Sequence, residues 1–161
     1  MKEMRSKRNI FTLKESRDKI DMFRLRPIVG VEGLYEMVDE KGRSCLDLDA
    51  LQQKLNRLIK RELKNMLVMI CQAIKVKGTS ALYDFIEDDL LRKIERIPRA
   101  VEHNMWEVKS PAHGGRLFFV MDEEGQIIVS AVDKFATQDP MAQEKAINRG
   151  LNRWEKFLSE I

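Results

Sequence analysis

The chain has 161 residues, 43% hydrophobic and 34% charged, with a formal net charge of +3. That length and apolar content suit one domain with its own core, and the charged third implies a solvated surface. No apolar run nears the roughly 18–20 residues of a membrane span, and the opening MKEMRSKRNI lacks the apolar stretch of an export signal, so the expectation is a soluble, cytoplasmic protein that makes no membrane contact.

Residues 1–30 hold Lys2, Arg5, Lys7, Arg8, Lys14, Arg17, Lys19, Arg24 and Arg26 against four acids. They read as a basic N-terminal extension ahead of a domain spanning 31–161. Within the extension, Phe23 and Leu25 alternate before Pro27, the pattern of an edge strand. Leu34–Val38 reads as a short strand ending at the turn Asp39–Gly42. Asp47 or Asp49 then stands as N-cap before a helical run of Leu51, Leu55, Leu58, Ile59, Met66, Ile70 and Ile74. Gly78 ends that helix, and Thr79 or Ser80 caps a second one carrying Leu82, Phe85, Ile86, Leu90, Ile94 and Ile97. Pro98 closes the second helix, since proline cannot continue the ladder, and the two form an αα-hairpin.

The period then changes. Met105–Lys109 reads as a strand, and Arg116–Met121 and Ile127–Val132 flank an acidic turn containing Gly125, which together predict a hairpin. Asp139 caps a last helix opened by Pro140, with Ala146, Ile147, Leu151, Trp154 and Leu158 on one face. The order predicts an α+β fold: a small, mainly antiparallel sheet packed on one face by the αα-hairpin and the C-terminal helix.

Three groups of residues could carry chemistry. On the first helix Lys54, Arg57, Arg61 and Lys64 fall on one side, nearly opposite the apolar stripe. Such a face tracks phosphates, or is simply the solvated side of a surface helix. Lys109 and Arg116 flank the reversal Pro111–Gly115, where strand pairing could bring both cations onto one sheet face with His113 on the loop between them. Lys134 sits at the end of the last strand. Cys45 and Cys71 belong to no CxxC pair and read as reduced thiols; the two histidines are too isolated to suggest a metal site. No phosphate-binding glycine loop, dinucleotide fingerprint, zinc-protease motif or nucleophile elbow is present.

Three segments, GLYEMVDEKGRS (33–44), MWEVKSPAHGGRLFFVMDEEGQIIVSAVDKF (105–135) and TQDPMAQEKAINRG (137–150), in this order resemble the RelE/ParE toxin superfamily, closest to its HigB-like, phage-associated branch. The likeness spans roughly residues 33–150 and leaves out the basic extension. It implies a RelE-like sheet and the toxin of a type II toxin–antitoxin pair. Such a toxin is held by a cognate antitoxin, here of helix-turn-helix type, and cleaves mRNA in the ribosome without metal or other cofactor. By motif, Lys109 matches the basic position after "WEV", Arg116 the arginine before "LFF", and Lys134 the lysine beside the phenylalanine after the last strand. The resemblance therefore implies that Arg116 takes phosphate charge, that Lys109 and Lys134 supply charge or proton transfer, and that His113 is an acid or base. The chain departs from the family in having Asp133 ahead of Lys134, where a lysine pair is common, and in having no tyrosine after Tyr83. Those departures keep a second expectation open: a catalytically inactive relative that binds or inhibits a large partner.

Overall fold

Residues 23–28, 30–52, 57–110, 115–133 and 140–160 are described by a computed structural model. Six strands, β1 (Phe23–Pro27), β2 (Leu34–Asp39), β3 (Leu91–Lys93), β4 (Met105–Lys109), β5 (Arg116–Met121) and β6 (Ile127–Asp133), form one sheet in the order β1-β2-β6-β5-β4-β3. Every pairing is antiparallel except that of β2 with β6. The expected α+β class with a mainly antiparallel sheet is what the chain forms. The last basic residues before position 30 belong to this sheet, and Pro27 sits on its outermost strand, where a missing N–H costs no ladder bond.

The helices are α1 (Cys45–Gln52), α2 (Arg57–Lys77), α3 (Leu82–Glu87), α4 (Pro98–Glu102) and α5 (Pro140–Ser159), with a 3₁₀ turn over Gly78–Ala81. They cover both faces of the sheet rather than one, as expected from sequence. The reason is that β4 and β5 are buried on both sides along most of their length. Trp106, Val108, Leu117, Phe119, Met121 and Val129 pack with Leu63, Leu67 and Ile70 of α2. On the other face Met105, Phe118, Val120, Ile128 and Ala131 pack with Ala146, Ile147, Leu151 and Trp154 of α5. A bulge between Phe118 and Phe119 places Ser130 as the extra residue of β6, and Ser130 Oγ donates to the Phe118 carbonyl at 3.3 Å.

Several boundaries differ from the sequence expectation. The helical run begins at Cys45, ahead of both aspartates, and Ser44 Oγ accepts the Asp47 N–H at 2.9 Å, the capping bond expected of Asp47 or Asp49. Neither Thr79 nor Ser80 caps α3; Ser80 Oγ instead donates to the Lys77 carbonyl. The second long helix does not exist. After α3 the chain turns at Asp88 and Asp89, the latter at φ 59°, and Leu91–Lys93 leaves as the edge strand β3 paired to β4. Ladder bonds to β4 and burial of Leu91 and Ile94 outweigh a helical periodicity that spans only a few turns. Pro98 then opens α4 rather than closing a helix. The hairpin is as expected: Asp122 Oδ1 accepts the N–H groups of Glu124 and Gln126, and Gly125 takes φ 82°.

Both cysteines are free and buried. Burial pushes the Cys45 thiol up to about 12 and the Cys71 thiol up to about 11. No helix among the described residues is long and apolar enough to cross a membrane.

Candidate functional site

Of the residues expected to act on phosphate, Lys109 and Arg116 are described and stand directly opposite each other across β4 and β5. Directly opposed residues share a sheet face, and here it is the face that α5 covers further along. His113 and Lys134 lie outside the described residues, as do Lys54 and Asp139.

The structure adds two charged residues to this end of the sheet that sequence reasoning did not single out. Glu107 precedes Lys109 by two on β4 and so faces the same way. Arg92 of β3 is its direct cross-strand partner. Glu107 Oε2 accepts from Arg92 Nη2 at 2.9 Å and from Arg116 Nη1 at 2.6 Å. The Glu107 and Arg116 side chains are 3% and 7% exposed, whereas Arg92 is 55% exposed. Arg116 is therefore engaged in an internal ion pair. Glu107 Oε1 and Arg116 Nε have no hydrogen-bond partner among the described residues.

Lys109 is held differently. Its Nζ donates to Asp89 Oδ2 at 2.9 Å, and Asp89 is almost fully exposed at the turn after α3. That hydrogen bond and the lysine's charge hold the Asp89 carboxyl below its ordinary value. Asp89, Leu90, Leu91, Arg92, Glu107 and Lys109 line a shallow cleft. Three cations and two carboxylates thus meet at one end of β3–β5, with one net positive charge.

The basic side of α2 lies elsewhere. Arg57 and Arg61 are exposed and Lys64 is half-buried, and with Lys60 they border an open groove. Lys60 is already paired to Asp47. Because α2 packs on the Trp106–Phe119 face, the sheet separates this groove from the Arg92–Glu107–Arg116 cluster. The two meet only around the end of β4, where Ser110 Oγ contacts Glu62 of α2. A strand of nucleic acid would have to bend round that end to touch both.

Arg92 was hidden because Leu91-Arg92-Lys93 fell inside an apparent helical stripe. The adjacent Asp88-Asp89, poor helix formers that favour turns, are the sequence signal that could have exposed the strand behind them. Among the described residues no group of three or more His, Cys, Asp or Glu could hold a metal ion. Comparison with known family models, curated proteins and solved structures gives no match.

Proposed function

We propose that this chain is the toxin of a type II toxin–antitoxin pair, acting as a ribosome-dependent mRNA endoribonuclease whose phosphate-gripping site is the Lys109–Arg116 end of the sheet. The observation that carries the reading is the register: Lys109 opposite Arg116, with Arg92 one strand further on the same face. The motif order of the sequence supplies the family, and with it a helix-turn-helix antitoxin as partner. In the reaction the ribose 2′-oxygen attacks the adjacent phosphorus and its proton leaves to a base. The P–O5′ bond breaks, the 5′-oxygen takes a proton, and a 2′,3′-cyclic phosphate remains. The protein's part is positioned positive charge on the phosphorane oxygens, which needs no metal.

The geometry alters the choice of test residue. Arg116→Ala would leave Glu107 buried against one half-exposed arginine, and breaking such a pair costs about 3–5 kcal/mol, which would confuse misfolding with lost chemistry. Lys109 is cleaner, because its partner Asp89 is 84% exposed and such pairs contribute about 0–1 kcal/mol. Expression of the wild type should arrest growth and leave messages cut within translated frames, as read by primer extension. Lys109→Ala should relieve the arrest with an unchanged melting temperature. Undiminished arrest and cleavage in that variant would remove Lys109 from the site.

One observation favours a second reading. Arg116 already has a carboxylate at 2.6 Å, so its charge is spent inside the chain. A relative that binds a large partner without cutting RNA would look the same. Purified protein added to a translating extract separates the two: inhibition with intact message supports the binding module.

A further inference from the structure

Arginine–carboxylate pairs frequently engage both oxygens with a fork of donors. The Glu107 cluster does not. One oxygen, Oε2, takes both guanidiniums, while Oε1 and Arg116 Nε stay unpaired in surroundings where an unmet polar atom costs free energy. A phosphate oxygen can accept from two guanidiniums in the same way. Glu107 and Arg92 also line the shallow cleft, whose other cation is Lys109. Remove the negative charge of Glu107 and Arg92 and Lys109 at the cleft, with Arg116 buried beside them, face Asp89 alone.

We propose that Glu107 is a built-in competitor. Its carboxylate occupies, in the resting chain, the place of a phosphate oxygen. A bound phosphate group takes over Arg92 Nη2 and Arg116 Nη1 and gains the idle Arg116 Nε. The carboxylate therefore sets the affinity of the site, keeping it low for stray anions and high only for a ligand that makes further contacts, such as that with Lys109. The ligand class, a phosphodiester of RNA, rests on the reading above, while the competition between Glu107 and a phosphate oxygen does not.

The test compares wild type, Glu107→Gln and the double variant Glu107→Gln/Arg92→Ala, using inorganic phosphate and a short 2′-O-methylated oligoribonucleotide as probes in calorimetric titrations. Glu107→Gln, nearly isosteric and neutral, should bind phosphate about tenfold more tightly or better, and the double variant should lose that gain. A folded Glu107→Gln with no tightening, or a gain that survives loss of Arg92, would overturn the proposal. Should Glu107→Gln fail to fold, the Arg116 Nε–H resonance of the wild-type chain decides. It should shift and saturate as phosphate is added, and a resonance unmoved at about 0.1 M phosphate, well above millimolar dissociation constants, counts against the proposal. Tighter phosphate binding without tighter oligonucleotide binding would uphold the competition and remove RNA as ligand. Cleavage that depends on Lys109 without any tightening would do the reverse.

Discussion

Two buried carboxylates in this protein each meet two arginines, and they stand in different settings. Asp49 of α1 is 1% exposed; its Oδ1 and Oδ2 accept from Arg153 Nη2 at 2.7 Å and Nη1 at 3.0 Å, and Arg149 Nε lies 3.2 Å from Oδ1. Arg153 Nη1 also donates to the Ser130 carbonyl at the β6 bulge. Every strong donor there joins α1, β6 and α5, so the cluster is a clamp between elements far apart in sequence. Glu107 is as deeply buried, but it joins only neighbouring strands that ladder bonds already hold, leaves an oxygen and an Nε idle, and faces a cleft. Burial of the ion pair is common to both clusters; what differs is that Arg153 ties together elements far apart in the chain, whereas Glu107 links neighbouring strands beside a cleft.

The largest effect should come from breaking the clamp. Asp49→Ala strands two guanidiniums against the sheet and is expected to cost about 3–5 kcal/mol, seen as a lowered urea midpoint. Glu107→Gln also leaves Arg116 without its carboxylate, but it keeps one carbonyl acceptor and Arg92 can turn to water, so its cost should lie at the low end of that range, about 3 kcal/mol. Equal losses at the two sites, with no gain in phosphate affinity at the second, would show that the clusters are of one kind.

How much of this was legible in the sequence follows from the range of the interactions. The hairpin was readable because its turn is a local device, with Asp122 bonding its own neighbours and Gly125 at positive φ. The edge character of β1 was readable from Pro27 alone. The strand β3 was not, since Leu91 and Ile94 owe their burial to β4 and the core, which no local period reports. Lys109 and Arg116 could be paired from the loop length between them. Glu107 lies in the Trp106–Lys109 motif, yet its ion pair with Arg92 depends on β3, which no local pattern reveals. The Asp49–Arg153 clamp, joining residues 104 apart, carried no sequence signal at all.

A third change probes the clamp's surroundings without touching a charge. Gly150 of α5 lies where a Cβ would stand 2.7 Å from Ser130 Oγ, 3.2 Å from Ala131 Cβ and 3.4 Å from Met105 Cε. The glycine allows α5 to approach the bulge closely enough for Arg153 to reach the Ser130 carbonyl. Gly150→Ala gains helix propensity but forces that contact apart, for a net loss of about 1–2 kcal/mol in urea unfolding. A variant as stable as the wild type would show that the bulge can yield and that the clamp does not need this approach.

The smallest effect is expected at the rim, where Asp39 ends β2. Burial pushes its carboxyl up, but the Arg43 and Lys41 N–H groups and the Arg43 guanidinium outweigh this and hold it below the ordinary carboxylate value. A group whose folded pKa is depressed contributes stability above its unfolded pKa, near 4, and loses that contribution as pH falls through the folded value. Asp39→Asn lacks the titration, so its melting temperature should lie slightly below wild type at neutral pH, by the equivalent of about 1 kcal/mol or less. The two curves should converge as the pH drops below about 4, where the wild-type carboxylate takes up its proton. Measured melting temperatures that stay parallel down to the acid limb would mean that the turn is held by its backbone alone. Asp39 would then join neither of the buried clusters as a charge that matters to the folded chain.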